Sequence, residues 1–112
     1  MQRDDQIRLR HMLEAAKEAL SFAQNETRSS LEADRKLELA LVKSIEIIGE
    51  AAANITDECR RDLPQIPWAS ITGMRNRLVH VYFDLDRDIL WKTITDDLPS
   101  LIAELERILK SQ

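Results

Sequence analysis

Leu37-Glu38-Leu39-Ala40-Leu41-Val42-Lys43-Ser44-Ile45-Glu46-Ile47-Ile48-Gly49-Glu50-Ala51-Ala52-Ala53-Asn54-Ile55 holds no proline and a single glycine. Leu37, Leu41, Ser44, Ile48, Ala51 and Ile55 recur three and four positions apart, which is the repeat of one helix face. Ile45, Ile47 and Ala52 widen the apolar surface beyond one stripe, so the helix, expected over about 31–55, should touch two neighbours. Gly49 interrupts it at a cost of about 1 kcal/mol relative to alanine. A close helix crossing within one chain, or a contact between two copies, would each use the missing side chain.

Working outward, residues 4–24 set Leu9, Met12, Leu13, Ala16, Leu20 and Ala23 on one stripe, with Arg8, Arg10, Lys17 and Glu18 largely off it, as in an amphipathic helix. Asn25-Glu26-Thr27-Arg28-Ser29-Ser30 is polar and rich in capping residues, and reads as a loop. Thr56 and Asp57 can cap a short helix that Leu63-Pro64-Gln65-Ile66-Pro67 must break. Pro67 then suits the first residue of a helix from Trp68, with core stripe Ile71, Met74, Leu78, Val81 and Leu85. The last stretch, Ile89 to Leu109, is one kinked helix or two consecutive ones. Pro99 is tolerated only in a first turn or at a kink, and Asp96 or Asp97 is the candidate cap. Trp68 and Trp91 read as packing anchors, since no aromatic ladder or basic strip surrounds them to stack bases.

Two glycines and three prolines in 112 residues leave little turn chemistry for hairpins, so the expected fold is all-α in a single domain over 1–112. With 44% apolar and 32% charged residues, the composition is that of an ordinary globular chain. No apolar run approaches a membrane span or a secretory segment, so no membrane association and a cytoplasmic location are expected. The single cysteine, Cys59, rules out an intramolecular disulfide, and two distant histidines cannot build a Cys/His zinc site. No carboxylate group stands out by spacing as a magnesium site, and no metal or cofactor is expected. A net charge of -4 argues against broad nonspecific nucleic-acid binding while leaving room for a small basic site.

Such a site is offered by Met74-Arg75-Asn76-Arg77-Leu78-Val79-His80-Val81-Tyr82, which gathers two arginines, an amide, one of the two histidines and the only tyrosine. A histidine titrating near neutrality beside a fixed positive charge suits cleavage of a phosphodiester without a metal. The helical wheel complicates this. Arg75 and His80 lie about 140° apart on one straight helix, whereas Asn76 shares the face of His80 and Arg75 lies over Tyr82. For Arg75 and His80 to meet one phosphate, the helix must end or distort near His80, the arginine must reach around, or the partners must come from two subunits.

Arg75-(four residues)-His80-Val81-Tyr82, preceded by Gly73-Met74 and followed by Phe83-Asp84, resembles the R-x4-H-x-Y motif of HepT-like toxins in the HEPN superfamily. The likeness extends through Ile47-Ile48-Gly49-Glu50-Ala51-Ala52, Pro67-Trp68, Asp86 to Trp91, and Asp97-Leu98-Pro99 to Leu109, nearly the whole chain. The resemblance implies an up-and-down bundle of about five helices that forms a homodimer, with the two motifs facing each other across the seam. It implies a metal-independent endoribonuclease acting on tRNA or mRNA, in which His80 is general base or acid, Arg75 stabilises phosphate charge and Asn76 orients the phosphate or the imidazole. It further implies a toxin–antitoxin pair, with a minimal nucleotidyltransferase as antitoxin that transfers AMP to Tyr82.

Each assignment has a plainer counterpart. Arg75 and Arg77 could form a solvated helix face, His80 could serve carbonyls at a helix end, and Tyr82 could be a packing residue. Glu50, Asp84 and Asp86 read as structural groups that pair with the motif arginines, and His11 as merely exposed. The competing function is a non-catalytic helical dimer that binds nucleotide or regulates and scaffolds a nucleotidyltransferase partner.

Overall fold

The computed structural model describes residues 1–78 and 85–111. Val79, His80, Val81, Tyr82, Phe83 and Asp84 lie outside the described residues, as does Gln112. The helices are α1 (Arg3–Ala23), α2 (Ser30–Ala33), α3 (Arg35–Ala53), α4 (Asp57–Asp62), α5 (Trp68–Thr72), α6 (Met74–Leu78), α7 (Arg87–Lys92) and α8 (Leu98–Lys110). The fold is all-α, as the sequence predicts. Because α5–α6 and α7–α8 each run on as one bent rod, the segments pack as about five bodies, α1, α3, α4 and the two rods, with α2 a single added turn.

The core is built from the stripes read in the sequence. Leu9, Met12 and Ala16 of α1 meet Leu41, Ile45 and Ile48 of α3, and Leu98, Leu101 and Leu105 of α8 close the third side. Trp68 and Trp91 pack against this core, and the Trp68 indole N–H donates to the Leu63 carbonyl at 3.0 Å.

Three boundaries differ from the expected ones. The helix expected over 31–55 is divided at Asp34, whose extended backbone stops α2 and whose carboxylate accepts the N–H groups of Lys36 and Leu37 to cap α3. The helix expected from Trp68 to Leu85 bends at Gly73, and its described part ends at Leu78. There the Leu78 carbonyl accepts the Asp86 N–H at 2.9 Å, although eight residues of helix would hold them about 12 Å apart. Leu85 still packs on the core, while Val81 of the expected stripe lies outside the described residues.

At the third, α7 passes into α8 through a π-helical segment, Thr93–Asp97. Pro99 sits in the first turn of α8. A proline ring clashes with the carbonyl four residues earlier in an α-helix, and the wider π turn relieves that clash. Asp97 precedes α8 without a side-chain capping bond, so the cap expected at Asp96 or Asp97 is absent. The carboxylate that caps this rod belongs to Asp86, which accepts the Ile89 N–H at the start of α7.

Candidate active site

Gly49 explains how the motif helix comes to lie on α3. A Cβ built there would stand 3.5 Å from the Ile71 carbonyl oxygen and 4.0 Å from that of Thr72, so the bare backbone of α3 faces the last turn of α5. Of the two readings of Gly49, the crossing within one chain is the one observed. With α5 seated, the bend at Gly73 carries Met74 and Leu78 inward, and Arg75, Asn76 and Arg77 outward on α6.

Arg75 projects toward α3, where its Nε donates to Glu46 Oε1 at 2.9 Å. The guanidinium is held by its Nε edge, and its side chain stays 46% exposed, so that among the described residues its terminal nitrogens are left to take an anion. Asn76 is adjacent. Glu46, Gly49, Glu50 and Thr72 complete a shallow depression of about 320 Å³ around the two motif side chains. Among the described residues the motif therefore supplies one oriented cation and one amide at the rim of an open hollow, a geometry suited to a phosphate and its neighbouring sugar.

Glu46 is the member of this site that sequence reading missed. It stands 29 positions from Arg75 on the polar face of α3, and no local spacing couples the two. Glu50, expected to pair with a motif arginine, lines the hollow and makes no ion pair among the described residues. Asp86, expected in the same role, caps α7, and Asp84 lies outside the described residues. His80 and Tyr82 also lie outside them, so the geometry places Arg75 and Asn76 alone of the candidate site residues. His11 is exposed, as expected.

A roomier hollow of about 440 Å³, between the start of α1 and α4, is lined by Asp5, Thr56, Glu58, Cys59 and Asp62 among others. Its lining sets three carboxylates, Asp5, Glu58 and Asp62, against the single ammonium of Met1, a balance that disfavours a phosphate. Among the described residues no group of three or more His, Cys, Asp or Glu is placed to hold a metal ion. No helix of the described residues is long and apolar enough to cross a membrane.

The Ribonuclease HepT-like family model matches residues 12–108. A probable ribonuclease HepT of Thermococcus cleftensis is 43% identical over 77 residues, covering 69% of this chain and 70% of the relative. A putative RNase of Methanocaldococcus jannaschii is 33% identical over 104 residues, covering 93% and 95%. Another from Caldanaerobacter subterraneus is 40% identical over 79 residues, covering 70% of each. No solved structure matches the chain.

Proposed function

The chain belongs to the HepT-like family, and from that premise we propose that it is a metal-independent endoribonuclease whose site is built around Arg75, Asn76 and His80. The observation that carries the reading is the Arg75 guanidinium, held by its Nε edge on Glu46 and otherwise unpartnered among the described residues, beside Asn76. His80 follows the end of α6 by two residues.

In the proposed reaction the ribose 2′-oxygen attacks the adjacent phosphorus and gives its proton to a general base. A bond from the 2′-oxygen to phosphorus forms as the bond to the 5′-oxygen breaks, leaving a 2′,3′-cyclic phosphate and a 5′-hydroxyl that takes up a proton. His80 serves as base or acid, Arg75 binds the charge accumulating on the phosphoryl oxygens, and Asn76 orients the phosphate or the imidazole. The need for a 2′-hydroxyl restricts the substrate to RNA.

The finer proposal is that two copies face each other, so that each site draws on both chains, and that the protein is the toxin of a toxin–antitoxin pair. A minimal nucleotidyltransferase would silence it by transferring AMP to Tyr82, which puts a phosphate within reach of the motif arginines.

The test is cleavage of tRNA and mRNA in EDTA by the unmodified protein. Arg75→Ala and His80→Ala should each lower kcat by roughly 10²- to 10⁴-fold with the helical circular-dichroism signal retained. Mixing the two inactive variants should restore part of the activity if the site is shared between chains. The intact mass after incubation with the nucleotidyltransferase and ATP should rise by one AMP, and not in Tyr82→Phe. Verified unmodified protein that leaves both RNAs whole would replace this reading with that of a non-catalytic nucleotide-binding dimer.

A further inference from the structure

Glu38 is a carboxylate with no exposed surface, in the first turn of α3. A charge so placed costs free energy unless it is paired and hydrogen-bonded. Glu38 Oε1 accepts from Arg35 Nη1 at 2.6 Å, and Oε2 accepts from Nε of Arg87, the first residue of α7. Arg87 Nη2 also reaches Oε1 at 3.4 Å, so the guanidinium straddles the carboxylate, and this bonding to Glu38 pushes the Arg87 pKa up. Glu38 and Arg87 are 49 positions apart.

The position of Arg87 gives the contact its meaning. The segment holding His80 leaves the described structure after Leu78, which has no exposed surface, and rejoins it before Asp86, whose N–H is bonded to the Leu78 carbonyl at 2.9 Å. The Asp86 carboxylate caps α7, and Arg87 fastens that cap to α3. Helix α3 thus holds Arg75 through Glu46 and the far end of the His80 segment through Glu38. Those two carboxylates are eight residues apart, roughly 12 Å along the axis and about 80° around it.

We infer that Glu38 and Arg87 are positioning residues, an ionic anchor on α3 that fixes where His80 stands relative to Arg75. Neither need touch RNA. The inference rests on the proposed ribonuclease reading for its kinetic consequence, but its structural consequence can be read without activity. The chain has only two histidines, so His11, on the exposed side of α1, is an internal control for His80.

The experiment records imidazole NMR resonances at fixed pH for the full chain and for Arg87→Ala, Arg87→Lys and Glu38→Gln, with His80→Ala supplying the assignment. Arg87→Ala leaves Glu38 its bond to Arg35, so it keeps the test open if Glu38→Gln fails to fold. The His80 resonance should shift or broaden in Arg87→Ala while that of His11 stays in place, with Arg87→Lys intermediate. kcat on a ribo-oligonucleotide should fall by roughly 10- to 100-fold with KM within about twofold. An unmoved His80 resonance in Arg87→Ala overturns the inference, and so does equal movement of both histidines, which marks a general loss of packing. If no protein in the series cleaves RNA, the wild type included, the ribonuclease reading fails and the His80 resonance still decides the anchor.

Discussion

Arg75 on α6 and Glu46 on α3 meet through a single 2.9 Å bond between Nε and Oε1. Half-exposed ion pairs of this kind contribute only about 0.2–1 kcal/mol to stability, so the pair is better understood as orientation. It turns the guanidinium on edge and presents the terminal nitrogens. Glu46→Ala should therefore leave the thermal midpoint within a few degrees of the wild type. It should lower kcat/KM on RNA by roughly 10- to 100-fold, because a misaligned phosphate contact is expensive in the transition state. Steady-state kinetics beside a melting curve checks this, and a variant as active as the wild type would reduce Glu46 to a bystander.

The same geometry predicts that Arg75→Lys behaves like Arg75→Ala. A lysine ammonium is a point charge on a flexible stem, with no separate edge to give to Glu46 while a second pair of donors faces a phosphate. Comparing kcat for the two variants in EDTA decides it. Recovery by lysine to within about threefold of wild type would mean that charge alone, without the planar fork, is what the site requires.

Gly49 invites a misleading expectation. A glycine at a helix crossing suggests that any side chain would push the partner away, yet a Cβ there would stand 3.5 Å from the nearest carbonyl oxygen, an ordinary contact. Alanine also gains about 1 kcal/mol of helix propensity over glycine. Gly49→Ala should consequently be neutral or stabilising by up to about 1 kcal/mol in urea unfolding. Gly49→Leu must displace α5 and should cost about 1–3 kcal/mol, moving Arg75 and lowering activity with it. A clear loss of stability in Gly49→Ala would show that the crossing is tighter than the structure has it.

What the sequence revealed and what it hid divide along a physical line. Helices α1 and α3 were legible because an apolar face must recur every three or four residues to stay buried, and α4 because Thr56 sits where a cap is needed. Arg75 and Asn76 were singled out as candidates by a compact motif. Glu46–Arg75 and Glu38–Arg87, 29 and 49 positions apart, were not, because a pair made by folding leaves no periodic trace in either partner. The approach of Asp86 to Leu78 was hidden for the same reason. The stripe through Leu78 and Leu85 keeps helical spacing, yet the bond from the Asp86 N–H to the Leu78 carbonyl overrides it.

Asp5 is 1% exposed and is satisfied by a residue 51 positions away, accepting the Thr56 N–H at 3.0 Å and the Thr56 hydroxyl at 2.6 Å. Thr56 Oγ1 in turn accepts the Cys59 N–H to cap α4. Asp5→Ala removes the acceptor and strands both donors, which should cost about 1–3 kcal/mol. Thr56→Val loses the cap as well, worth about 1 kcal/mol. The urea midpoints should fall with the slope unchanged, and the double variant should lose less than the sum of the two single losses, since both remove one contact. Strict additivity would show that the two side chains act independently.

Cys59 supplies a pH dependence at the same corner of the molecule. Burial pushes its thiol pKa up, and the charges of Asp5 and Asp62 push it further in the same direction. Its folded value therefore exceeds that of the unfolded chain, where a thiol titrates near about 8.5. Below the unfolded value both states hold the proton and the stabilisation is complete. As pH rises through that value toward the folded one, the unfolded state ionises first and stability declines. Unfolding measured from pH 7 to 10 should show that alkaline decline in the wild type and a weaker one in Cys59→Ala, beneath whatever cavity cost the substitution adds at every pH. The buried thiol should also react slowly with a disulfide reagent at pH 8 until urea unfolds the chain. Prompt labelling of the native protein would contradict its burial between α4 and the start of α1.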